Sequence, residues 1–154
     1  MAPTPRTNAQ AALVDSLNAL LADSFALYVK TKNFHWHVRG PQFRDLHLLF
    51  DEQAAEIFAL TDLIAERVRK NGAATLTSLA ALDGKSRIKG QDDSSLSAEA
   101  MISELLADNR TYIEGIRQTK AAAGDAGDNA TEGLADDWTD QAEQRVWFLS
   151  QLLA

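Results

Sequence analysis

Apolar residues recur at three- and four-residue steps along four long stretches of this chain, a spacing that places them on one side of an α-helix. In the first stretch Val14, Leu17, Leu21, Phe25 and Tyr28 form the stripe. That helix is expected to begin near Thr7 or Asn8 and to run to about Val38, where Gly40 supplies a stop and Pro41 a favoured first position for the next helix. The second stretch carries Phe43, Leu46, Phe50, Ile57, Leu60, Ile64 and Val68 and ends at Asn71-Gly72. Between 73 and 95 the pattern breaks down. Residues 75–82 could hold a short helix, followed by a polar stretch 83–86 and a loop 91–95 that leads into a helix start. The third long helix shows Ile102, Leu105, Leu106, Tyr112, Ile113 and Ile116, with Glu99 in its first turn to complement the macrodipole. Residues 121–128 are small and polar and form the next connection. Asn129 and Glu132 have capping-box spacing and open the last helix, along which Leu134, Trp138, Arg145, Leu149 and Leu152 share one side.

The pattern predicts an all-α chain: a four-helix bundle with a short extra helix in the connection between the second and third long helices. That connection, ~20 residues long, lets those two helices run in the same direction. At 154 residues a single domain over 1–154 is expected, with 1–7 as a short flexible tail. Only 8 Gly and 3 Pro agree with an all-helical reading. There is no cysteine, which excludes disulfides and thiolate metal sites. The first ten residues are polar and lack an apolar targeting core, and no apolar run approaches the ~18 residues needed to span a bilayer. The cytoplasm is the expected compartment, and no membrane partner is expected. A net charge of −7 favours cations over nucleic acid or anionic lipid.

The candidate chemistry lies in His35, His47, Asp51, Asp62 and Glu66. With the second helix turned at 100° per residue and His47 set at zero, Asp51 falls at about 40°, Asp62 at about 60° and Glu66 at about 100°. Each i,i+4 pair can converge on one ion. The eleven-residue step from Asp51 to Asp62, however, separates the pairs by roughly 16 Å along the axis. One helix cannot bring both pairs to one metal. Two copies packed antiparallel about a point near Glu56 or Ile57 can, because the His47/Asp51 pair of one then faces the Asp62/Glu66 pair of the other, giving two equivalent sites. Ala54, Ala55 and Phe58 lie between the pairs, the alanines permitting close approach, and His35 could complete the ligand set. Two imidazoles and three carboxylates without sulfur suit Fe(II), Mn(II) or Zn(II) better than Cu(I), Ca(II) or Mg(II). Taken singly, each of the five is more often a surface or capped residue; the weight rests on their joint spacing.

His35-Trp36, Gly40-Pro41, Leu46-His47, Asp51, the run Asp62-Leu63-Ile64-Ala65-Glu66-Arg67 and the final Val146-Trp147-Phe148-Leu149 together resemble the Dps family. These are miniferritins, also called DNA-binding proteins from starved cells. The resemblance implies one ferritin-like Dps domain assembled as a hollow homo-dodecamer. It implies a ferroxidase centre at each two-fold interface, where Fe(II) is oxidised to Fe(III), preferably by hydrogen peroxide, and stored as ferric mineral against oxidative damage. His35, His47 and Asp51 would come from one subunit and Asp62 and Glu66 from its neighbour, with Glu66 bridging two metal positions; Zn or Mn could occupy the site. Trp36 would be an auxiliary aromatic limiting radical escape, with packing at the interface as its other reading. His37 is read as surface or supporting rather than as a ligand. The resemblance also implies an acidic three-fold pore for iron entry near the start of the last helix, for which Asp125, Asp128, Glu132 and Asp136 are the candidates; compensation of the helix dipole is their other reading.

The family name points to a second function, binding and compacting DNA, with nucleoid association. DNA-binding members commonly use a lysine-rich terminal extension, whereas here Arg6 is the only basic residue before Lys30 and the last helix ends at Ala154. Twelve copies at −7 each would carry about −84, which opposes a polyanion. DNA binding is therefore expected to be weak or absent. A non-catalytic helical bundle is the third reading, and the two-His, three-carboxylate stripe argues against it.

Overall fold

Thr7 opens the first helix: its hydroxyl accepts the Gln10 backbone N–H at 3.1 Å while the Gln10 side chain accepts the Thr7 N–H at 2.9 Å, a complete capping box. The computed structural model describes Ala2 and residues 4–154. Among the described residues there are five helices and no strand: α1 Asn8–His37, α2 Phe43–Lys70, α3 Leu79–Lys85, α4 Ala98–Ala126 and α5 Asn129–Leu152. Of the expected tail 1–7, Met1 and Pro3 lie outside the described residues, whereas Arg6 donates to the Gly72 carbonyl at 2.9 Å.

Four local expectations shift. Pro41 sits in the turn before α2, not at its first position, because the chain reverses through Gly40 at φ +113° and enters the helix at Phe43. The short helix begins later than expected and takes in Asp83, Gly84 and Lys85, since Ser78 caps it through the Ala81 N–H at 3.1 Å. The expected connection over 121–128 is mostly helix: α4 continues to Ala126, its alanines losing no side-chain entropy, and stops at Gly127 in the left-handed region at φ +72°. Asp128, not Asn129, then caps α5, its carboxylate accepting the Thr131 N–H at 3.1 Å.

α1 packs on α2, α4 on α5, and α1 on α4; α3 lies across α1, and α2 touches α5 only sparsely. Because α1 meets three other helices, more of its circumference is buried than one stripe predicts. Leu13, Leu17, Leu20, Leu21, Leu27 and Phe34 fill the core, while Val14, Phe25 and Tyr28 are only partly covered. The same position explains why α1, against the sequence expectation, is long and apolar enough to cross a membrane, with half of that apolar window buried inside the bundle. A core helix passes such a test as readily as a membrane span does. From the other helices Phe50, Ile57, Ile64, Met101, Leu105, Ile116, Trp138 and Leu149 complete the core.

Polar groups inside the bundle are mostly partnered. Ser24 and Tyr112 share a hydrogen bond of 2.7 Å, and burial pushes the Tyr112 phenol up to about 12. Arg145, expected on the apolar side of the last helix, is indeed buried; its Nε donates to Asn109 at 2.8 Å.

Candidate metal centre

The α1–α2 turn brings the last turn of α1 against the first turns of α2, and with them His35 against His47. The two imidazoles stack with centroids 3.9 Å apart and planes 13° from parallel. Each is tied to the other's backbone: His35 Nδ1 lies 2.6 Å from the His47 carbonyl oxygen and His47 Nδ1 2.7 Å from that of His35. A carbonyl can only accept, so both Nδ1 atoms carry the proton. In the neutral ring Nε2 is then the nitrogen that keeps the lone pair a metal needs. This reciprocal clamp fixes tautomer and ring direction together, and the Phe43 ring, 5.1 Å from His47, backs it.

Asp51, one turn along α2, approaches His35 Nε2 at 3.8 Å. Its other neighbour was not foreseen from sequence. Lys32 Nζ donates to Asp51 Oδ1 at 2.7 Å, and that hydrogen bond, ahead of the Lys32 charge and the two histidines, holds the carboxyl below the usual carboxylate range. The signal was legible in principle, since Lys32 precedes His35 by three residues on α1 and so shares its face.

Asp62 and Glu66 are exposed further along α2, and no ion pair involves them among the described residues. Within one chain no three His, Asp or Glu side chains converge on a metal position among the described residues. The exposed face of α2 is continuous between the two pairs through Ala55, Phe58 and Ala59. Ala54 is not part of it: its side chain is fully buried in the chain's own core, as is Ile57, so close approach of a second helix would rest on Ala55 and Ala59. Glu56 turns toward α5, where Arg145 Nη1 donates to it at 3.3 Å.

Trp36 is 62% exposed and, with His37, lines a groove of about 530 Å³ between α1 and the α2–α4 crossover. His37 is held by Asn33 through contacts at 2.7 and 2.9 Å. The four acidic pore candidates all lie at one end of the α4–α5 hairpin, but their settings differ. Asp125 is exposed, and Glu132 lies beside Gly124. Asp136 is paired with Lys120. Asp128 accepts two hydrogen bonds from Arg67 Nη2, at 2.7 and 2.8 Å, and one from Asn71 at 2.9 Å. Burial would raise its pKa, but the bonds from Arg67, Thr131 and Asn71 outweigh that and hold it far below the usual carboxylate range.

A model of the ferritin-like domain family matches residues 14–154. The DNA protection during starvation protein of Brevibacillus brevis is 33% identical over 96% of this chain and 99% of its own length. The chain belongs to the Dps family of ferritin-like proteins. Among solved structures, Dps from Thermosynechococcus elongatus superposes with a TM-score of 0.93 at 30% identity, covering 96% of this chain and 94% of that one. Dps from Vibrio cholerae, a member of a broad superfamily of ferritin-like diiron-carboxylate proteins, gives a TM-score of 0.91 at 26% identity over 99% and 100%. The bundle and crossover of this Dps-family chain are thus those of its relatives. The donor set fits iron: two imidazoles whose Nδ1 atoms are engaged by backbone carbonyls, beside a carboxylate, are borderline-hard ligands of the kind Fe(II) takes.

Proposed function

We propose that this chain is an iron-storage ferroxidase that oxidises Fe(II), preferably with hydrogen peroxide, at sites shared between two-fold-related subunits of a cytoplasmic homo-dodecamer. The observation that carries the reading is the reciprocal His35–His47 clamp, which presents two imidazoles beside Asp51 on the helix face that also bears Asp62 and Glu66. Iron is the substrate. His35, His47 and Asp51 of one subunit bind it together with Asp62 and Glu66 of the neighbour, with Glu66 placed between two metal positions. Two Fe(II) ions each give up one electron, and peroxide takes both as its O–O bond breaks, so no hydroxyl radical is released. The carboxylates stabilise the extra positive charge on Fe(III) as it forms. The likeness to the Vibrio cholerae protein, itself of a diiron-carboxylate superfamily, supports the choice of ion. Trp36, next to His35 in the chain, is assigned the auxiliary role of intercepting stray oxidant, and Asp125 and Glu132 lead the candidates for the entry pore.

Replacing His47→Ala together with Asp51→Ala should slow peroxide-driven Fe(II) oxidation by at least about tenfold, since loss of even the outer partners of a metal ligand costs 10–100-fold. The assembly should keep its size in gel filtration. Wild-type oxidation kinetics in that variant would refute the assignment.

Lys32 competes with metal for Asp51, so removing its charge should help binding. Lys32→Met is expected to tighten Zn(II) or Co(II) binding about two- to fivefold in calorimetry, the pair being partly exposed and its Coulomb energy correspondingly modest. Unchanged or weaker binding would mean that Lys32 supports the site instead of opposing it.

A second reading, DNA binding, is favoured by the names of the DNA protection during starvation proteins of Brevibacillus brevis and Deinococcus radiodurans, the latter 30% identical over 92% of this chain and 68% of its own length. The net charge of −7 per chain opposes it. A gel-shift titration at physiological salt without bridging divalent cations should show no retarded DNA; clear retardation would reinstate that reading.

A further inference from the structure

Gln53 stands midway along α2 with only 4% of its surface exposed, and neither its Oε1 nor its Nε2 has a hydrogen-bond partner among the described residues. Arg145 of α5, 1% exposed, leaves its Nη2 in the same condition, although its Nε and Nη1 are bonded to Asn109 and Glu56. Both side chains line one cleft of about 40 Å³ between α2 and α5, with Glu52, Glu56 and Gln144 among its other walls. Leaving an amide and a guanidinium edge dry and unpaired is costly, so natural interiors satisfy such groups. A site needs roughly 10–15 Å³ of water-sized space and two to four polar partners to hold a water, and this cleft offers both the room and the partners. Other occupants fit less well. The carboxylates of Glu52 and Glu56 oppose an anion, the Arg145 guanidinium opposes a metal cation, and the Gln53 amide both donates and accepts, which suits a neutral molecule.

We propose that this cleft is a hydration site, binding one or two ordered waters that join Gln53 to Arg145 Nη2 and so bridge α2 to α5. These two helices meet only sparsely, and the waters do there what side-chain packing does elsewhere in the bundle. The bridge leaves Arg145 free to hold Glu56 with Nη1 while its remaining edge is solvated.

Two measurements on the full-length assembled protein test the site. A crystal structure at better than about 2 Å should show density within hydrogen-bonding distance of the Gln53 amide and Arg145 Nη2; an empty cleft, or an ion in it, overturns the proposal. The variant Gln53→Leu separates the alternatives by sign. If water bridges the helices, removing the amide strands the water and Arg145, and the melting temperature should fall by about 3 °C or more. If the cleft is dry, the same change removes an unpaired buried amide and the melting temperature should rise, which likewise overturns the proposal. Should the variant fail to assemble, the wild-type density decides alone.

Discussion

Two inactive variants should regain iron oxidation when they are assembled together. His47→Ala/Asp51→Ala removes one half of the proposed site and Asp62→Ala/Glu66→Ala the other. Each alone should be slow. In a subunit pair made of one of each, one site combines the two intact halves and the second combines the two damaged ones. Unfolding an equal mixture and reassembling it would make half of the pairs mixed, and half of the sites in those would be whole. About a quarter of the wild-type peroxide-driven rate should therefore return. The measurement is Fe(II) oxidation by absorbance after reassembly, with each variant reassembled alone as reference. A site held within one chain predicts no recovery, because every chain in the mixture lacks two ligands. This experiment reads ownership of the proposed ligands directly, and α2 makes the question sharp: Asp51 and Asp62, the nearest members of its two proposed pairs, lie roughly 16 Å apart along one helix.

The largest loss of stability should come from Asp128→Ala. Asp128 caps α5 and accepts Arg67 through both carboxylate oxygens, so it ties the end of α2 to the start of α5. Both partners are largely shielded from water, at 14% and 9% exposure. Removing one member of such a pair leaves a poorly solvated charge, at about 3–5 kcal/mol, with the lost cap in addition. At roughly 2–4 °C per kcal/mol for a chain of this size, the melting temperature should drop on the order of 10 °C. Asp128→Asn retains a good cap but not the charge, and should fall between wild type and Asp128→Ala. The pH dependence has a definite sign. The folded-state pKa of Asp128 is depressed, so its contribution is fully present above the ordinary carboxylate value of about 4 and is lost as pH falls toward the depressed one. The difference between wild type and Asp128→Ala should stay flat from neutral pH to about 4 and shrink only below that. A difference that faded already between pH 7 and 5 would contradict the assignment of the pair.

Asp128 also shows how a sequence motif can be read at the right place for an incomplete reason. As one of four acids near the start of the last helix it was a pore candidate, with helix-dipole compensation as its alternative. Its carboxylate is engaged by Thr131, three residues on as in any helix cap, but also by Arg67 on α2 and Asn71 just beyond it, which no local window connects to it. Lys32 is the parallel case at the proposed metal centre. Its proximity to Asp51 joins positions nineteen residues apart and needs the α1–α2 turn to close before it exists.

Helix number, order and approximate extent followed from the 3.6-residue recurrence of apolar side chains, because the backbone converts that spacing into one buried face regardless of neighbours. The separation of the two α2 ligand pairs followed as well, since helical rise per residue is a local constant. Where helices end was less legible: the alanines of 121–123 extend α4, and Gly127, not the first glycine met, terminates it. The tertiary structure alone decided which face of α1 is covered, and that Ala54 is spent on the core while Ala55 stays at the surface. It alone decided that two imidazoles twelve residues apart clamp each other's backbone through their Nδ1 atoms. Such pairings depend on the angle at which two helices meet, and that angle is set by the packing of the whole bundle, not by any segment of the chain.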